Sequence, residues 1–246
     1  MNVFQTKIPY DPFDEKALPG VQPFDPVDWL IVDDAYAGQM AERIRLLAEQ
    51  RDEVLQLSDT ATDAAAELLD TVVQHLLKDH AEFLREENGI RCPDGRLVGL
   101  QGSPLDVLCQ LVQNDFCILQ KPEGSDEHIL AGAILCFPAN WRLKDKFMRP
   151  LIGIHKPVDS YDDAIARRVQ RLFDGVRVGR PIWRFNALWY DEPNLFQQGL
   201  GGSPKPIDGE PGRFIRSERQ TISRLPLSNA MIFSIHTFLV NAEGSD

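Results

Sequence analysis

The sequence predicts an α+β fold in which an antiparallel sheet of about five strands carries flanking helices and a helical extension toward the N-terminus. Three observations predict it. Stretches with helical spacing of apolar residues dominate the first half, and short runs rich in Ile, Val, Phe and Trp dominate after Asp115. Those runs do not alternate one-for-one with helices, so a parallel βαβ arrangement is disfavoured and a sheet with helices packed on it is expected.

The first thirty residues interleave Pro9, Pro12, Pro19, Pro23 and Pro26 with Tyr10, Phe13, Phe24 and Trp29. Prolines keep the segment out of helix, while the aromatics argue for docking rather than disorder. Residues 1–30 are therefore expected as an extended arm and residues 31–246 as one domain. Met40, Ile44, Leu47, Val54 and Leu57 predict an amphipathic helix from Tyr36 to Leu57, with Glu and Arg on its other face. A second helix, capped by Asp59 or Thr60, is expected to run to about Glu86 before Gly89 stops it, and its His75 and His80 are read as structural or solvated. Ser103-Pro104 opens a third helix through Val112, cap followed by proline at the first turn.

From Asp115 onward FCILQK and HILAGAILCF predict two strands joined around Gly124-Ser125, and Tyr161 to Phe173 predicts a helix. PIWRFNALWY, RFIRSERQTISRL and AMIFSIHTFLV predict three more strands. Asp191 to Gly212 is expected as a long loop.

With 246 residues, 43% of them hydrophobic and 26% charged, the chain is long enough to bury a sizeable core. Its 26 Lys and Arg against 37 Asp and Glu, a net charge of -11, argue against a general grip on nucleic acid. No apolar run is long enough for a membrane span, and the polar, proline-rich N-terminus lacks the apolar core of a signal peptide, which points to the cytoplasm. Cys92, Cys109, Cys117 and Cys136 form no CxxC pair, so a thiolate zinc or iron–sulfur site is not expected. GxSxG, GxGxxG, P-loop and HExxH signatures are missing.

Chemistry must then come from polar residues set in apolar sequence. His155 follows Ile154 and precedes Lys156-Pro157, a context that restrains the backbone ahead of the proline. A restrained imidazole suits metal or haem ligation, with a structural histidine as the alternative. Arg216, Glu218 and Gln220 share one strand face, which is either solvated or aimed into a pocket. Arg184, Asn186 and His236 stand in the neighbouring strands. Trp183 and Trp189 share a face, as core or cavity wall.

Taken together, CFPANWRLKDKF, PLIGIHKPVDSY, RFNALW and RSERQTISRLPLSNAMIFSIHTF resemble the haem-dependent oxidative N-demethylase alpha-subunit family over about residues 20 to 240. The resemblance implies a PAS-like sheet binding haem b, with oxidation of a small secondary amine such as dimethylamine by dioxygen. It implies electrons from NADPH delivered through FMN and a 2Fe–2S cluster on a separate partner, and a folate-dependent subunit accepting formaldehyde. By position it makes His155 the proximal iron ligand and Arg184, Asn186, Arg216 and His236 cofactor-binding residues. Glu218 becomes the partner of an ammonium substrate, with Arg219 or Arg224 on the distal side. Arg184-Phe185-Asn186-Ala187 stands where the family shows R-x-N-W, and Ile235-His236-Thr237-Phe238 where it shows I-R-T-Y, so His236 is also a candidate second axial ligand. A non-catalytic haem or gas sensor and a cofactor-free structural homologue are the other readings.

Overall fold

The computed structural model describes residues 2–14, 20–151, 154, 163–199 and 204–242. Its centre is an antiparallel sheet whose five long strands are β6 (Asp115–Gln120), β7 (Ile129–Ile134), β8 (Ile182–Tyr190), β10 (Phe214–Arg224) and β11 (Met231–Asn241). They lie in the order β8-β10-β11-β6-β7, and the α+β class stands. Three short strands bring the sheet to eight. β1 (Gln22–Pro23) and β9 (Lys205–Pro206) pair with β8, and β2 (Leu55–Leu57) pairs with β7. Strands of two or three residues have no period to read, so sequence reasoning counted the long ones.

The helices are α1 (Tyr36–Glu49), α2 (Arg51–Val54), α3 (Thr62–Asp79), α4 (Pro104–Leu111), α5 (Leu143–Lys146) and α6 (Asp163–Gly175). The expected helix to Leu57 breaks at Gln50, because Leu55–Leu57 finds ladder partners in β7 that a helix would forfeit. The helix expected to reach Glu86 ends at Asp79. Beyond it β3 (Leu84–Glu86), β4 (Gly89–Arg91) and β5 (Leu97–Val98) build a separate three-stranded sheet. Gly89, read as a helix stop, instead closes a tight hairpin whose two-residue loop is Glu87-Asn88. The capping side chain is Ser58, whose hydroxyl accepts the Thr60 N–H at the short 3₁₀ turn that leads into α3.

Two layers cover the sheet. On one face lie the N-terminal arm, α1, α3 and α4, and their apolar stripes make the main core with Phe116, Ile118, Ile134 and Ile232. Gly38 in α1 is held to glycine by close approach, since a Cβ there would sit 1.7 Å from the Asn2 carbonyl oxygen. The other face carries a second cluster, Cys117, Leu119, Ala133, Ile222, Ile235 and Phe173 of α6, with Leu143, Leu151 and Ile154.

Arg43 corrects the reading that placed the arginines of α1 on its solvated face. Its side chain is fully buried. It pairs with Asp115 at 2.5 Å and donates to the carbonyls of Cys109, Gln113 and Asn114. Asp115 in turn accepts the N–H groups of Cys136 and Phe137, both at 2.8 Å. Burying an ion pair is tolerated only when the remaining donors and acceptors are met, and here they fix the turn after β7.

Candidate functional site

Strand alternation divides the candidate residues between the two faces. The register sets Glu218 opposite Asn186 on one side and Thr237 on the other, and Gln220 opposite Arg184. Arg216, Glu218, Gln220, Arg184 and Asn186 therefore share the face covered by α6, while Ser217, Arg219 and His236 point beneath the arm.

On the α6 side the polar groups form a chain. Arg184 donates to the Gln220 side-chain oxygen at 2.9 Å, and Gln220 donates to Glu218 at 3.0 Å. Asn186 donates to Glu218 at 3.4 Å and accepts its backbone N–H at 3.2 Å. The Arg216 guanidinium lies 3.6 Å from Glu218 and donates to the carbonyls of Leu195 at 3.0 Å and Phe137 at 2.6 Å. Those bonds tie β10 to the turn that Arg43 and Asp115 hold. Three buried polar atoms around Glu218, Arg216 Nε, Tyr190 Oη and Thr237 Oγ1, have no hydrogen-bond partner among the described residues. Burial pushes the Tyr190 hydroxyl up and keeps it protonated, opposed only in part by the nearby Arg216 charge. Buried polar atoms without partners are rare and commonly mark a place for water or a ligand.

The arm side differs in its partners, although His236 Nδ1 and Thr221 Oγ1 there also lack one among the described residues. Arg219 lies 5.0 Å from the Phe24 ring and 5.2 Å from the Trp183 ring, and donates to the Trp29 carbonyl at 3.1 Å. Burial lowers its pKa, with Tyr10 and Asp28 acting the other way. His236 meets Asp33 through Nε2 at 2.9 Å. Burial pushes the Asp33 carboxyl up, but hydrogen bonds and charge from His236 and hydrogen bonds from Gln113 and Gln5 outweigh it and hold the pKa below its ordinary value. Tyr10 bonds Ser217 at 2.9 Å and stacks on Phe185, while Trp189 donates to Ile207 and packs with Ile8. Both Trp183 and Trp189 are thus covered by packing rather than lining a cavity.

Arg224 shares the Glu218 side but sits at the strand end. It donates to Val176 at 2.8 Å and to Phe173 at 3.0 Å, carbonyls at the α6 C-terminus, where a cation complements the helix dipole. His155 lies outside the described residues. Its covalent neighbour Ile154 packs on the apolar cluster of the Glu218 face, its N–H bonds the Pro150 carbonyl and its carbonyl accepts Lys146 Nζ. Ile154 itself thus sits on the side where Glu218 and Arg184 gather.

A family model described as haem-dependent oxidative N-demethylase, alpha subunit-like, matches residues 20–244. The chain belongs to that family.

Membership makes haem the cofactor against which the site must be tested. On the α6 side the apolar side chains of Cys117, Ile222 and Ile235 share a face with the Arg184 guanidinium, which donates to Gln220, and with the unpartnered polar atoms around Glu218, side-chain types that suit a porphyrin. The residues fit the group. Among the described residues no three His, Cys, Asp or Glu side chains gather as a metal site, and no helix is long and apolar enough to cross a membrane. Sequence reasoning did not single out Tyr190, Thr237 or Lys146. Thr237 was legible in principle, since it lies in the same strand as His236 on the opposite face, whereas Lys146 becomes notable only once it is seen to grip the Ile154 carbonyl.

Proposed function

We propose that this chain is the haem-binding, amine-oxidising subunit of a multi-subunit N-demethylase acting on a small secondary amine such as dimethylamine. The observation that carries the reading is the buried Glu218 carboxylate beside apolar side chains, with unpartnered polar atoms around it, on the face where Ile154 packs. The five long strands, numbered in chain order, lie as 2-1-5-4-3, which supports a PAS-like domain over residues 31–246 with residues 1–30 as its arm.

Haem b, held through His155 with Arg184 and Asn186 toward its polar edge, would supply activation of dioxygen. In the overall reaction one oxygen atom ends in formaldehyde and the other in water, and NADPH provides the electron pair. Glu218 binds and orients the ammonium by a charge-assisted hydrogen bond, and Asn186 and Gln220 hold its carboxylate oxygens in place. Arg216 fixes the strand beneath it through two carbonyls. Arg224 positions α6 over the site, and Arg219 and His236 position β10 and β11 from the other side. No flavin or iron–sulfur motif is present, so FMN and 2Fe–2S belong to a partner and folate chemistry to another. Four free thiols suit a reducing cytoplasm.

The test is an absorption spectrum of the chain purified with haem supplied. A Soret band that shifts or disappears in His155→Ala is expected. No Soret band in the native chain, or an unchanged one in the variant, overturns the assignment.

A further inference from the structure

The charge of this chain is unevenly distributed. Between Arg142 and Arg180 there are ten Lys and Arg against five Asp and Glu, whereas the rest holds 16 against 32 of the totals of 26 and 37. The positive segment includes α5 and α6, the layer over the Glu218 face. At the end of α6 a groove of about 330 Å³ is lined by Arg171, Leu172, Val176, Arg177, Arg180 and Ile182. Its three arginines and neighbouring Arg168 are exposed, and none has an ion-pair partner within 4 Å among the described residues. Val178, beside the groove, is 47% exposed. An acidic protein thus presents an apolar floor ringed by exposed guanidinium groups on the layer that covers its candidate cofactor site.

We propose that this groove is the docking surface for the electron-donating subunit, a protein that presents clustered carboxylates around an apolar contact. The inference rests on the haem reading for the donor's role and on the groove alone for its chemistry. Arginine rims with apolar centres are typical of interfaces, and opposite charge raises the encounter rate. A nucleic acid is the poorer occupant, because the remaining surface repels phosphate.

Two measurements test it on the full chain. Fluorescence anisotropy with a fluorescein-labelled decaglutamate peptide at about 20 mM salt is expected to show binding that weakens about tenfold in R171E/R177E and fades at about 0.3 M salt. The variant R85E, on the separate small sheet, should bind as the native chain does. Equal affinity in the native chain and R171E/R177E, no binding at low salt, or displacement by micromolar inorganic phosphate overturns the proposal. In stopped-flow, a reduced acidic 2Fe–2S ferredoxin should reduce the haem about tenfold more slowly in R171E/R177E, with dithionite reducing both alike. Equal ferredoxin rates overturn the donor assignment. A native chain without a Soret band would fail the haem reading, and the peptide titration would still decide the groove.

Discussion

The same strands carry two different kinds of surface. Beneath the arm, Arg219 and His236 are held by a backbone carbonyl, two aromatic rings and the Asp33 carboxylate. Beneath α6, Glu218 sits one residue away, among side chains that leave Arg216 Nε, Tyr190 Oη and Thr237 Oγ1 without partners among the described residues. The Glu218-Arg219-Gln220 run thus alternates between the polar chain under α6 and a clamp beneath the arm. A single motif in sequence therefore need not be a single site in space.

The comparison breaks most visibly at Asp33. Asp33→Ala leaves His236 Nε2 without its partner and removes one of two acceptors from Gln113 and from Gln5, and it is expected to cost about 3 kcal/mol, read from the urea midpoint. The Soret band of the haem-loaded chain should be unmoved. A shift in that band would place His236 near the iron and erase the division between the faces.

Glu218→Gln is the converse. Its shape and neighbours are kept, so stability should stay within about 1 kcal/mol of the native chain, while amine binding weakens by about 10- to 100-fold from loss of a charge-assisted contact. Steady-state KM for dimethylamine with a reconstituted donor measures it. Unchanged KM would move the ammonium away from Glu218.

Acidification separates the layers more gently. His75 meets the Trp29 ring edge-on at 5.6 Å on the arm side, and His128 bonds Gln170 of α6 at 2.8 Å on the other. Burial lowers both pKa values, aided at His75 by the His80 charge and opposed at His128 by the Gln170 bond. The unfolded chain then binds protons more readily, so stability falls as pH drops below about 6.5. Asp33 is among the carboxylates whose pKa is depressed, and its contribution is present above about pH 3.9 and lost as pH falls below it. Thermal midpoints between pH 8 and 3 should show both steps, and His128→Gln should flatten only part of the first. The smallest change belongs to Arg224→Ala, about 1 kcal/mol, with hydrogen exchange quickening at the end of α6.

Legibility followed the length of the repeat. Strands of six to eleven residues and helices such as α4 showed in sequence because the period runs over several residues and, at α4, Pro104 opens the first turn, although Ser103 at the N-cap makes no side-chain hydrogen bond. β2, β3, β4 and β5 were missed because two or three residues take their state from their partners, and Leu55–Leu57 is a strand only because β7 lies beside it. Alternation did place Arg216, Glu218 and Gln220 together. It could not show which layer would cover them, nor that Arg43 would be buried against Asp115 instead of lying on the solvated face of α1.

What the sequence determined by itself is the α+β class, the long strands with their alternating faces and the family, because each depends on pattern along the chain. Tertiary structure alone decided that Arg219 and His236 serve the arm while Glu218 and Arg184 face α6 and the Ile154 anchor. The physical reason is that a strand offers two equivalent faces, and only the layers packed on them determine which partners each polar group meets.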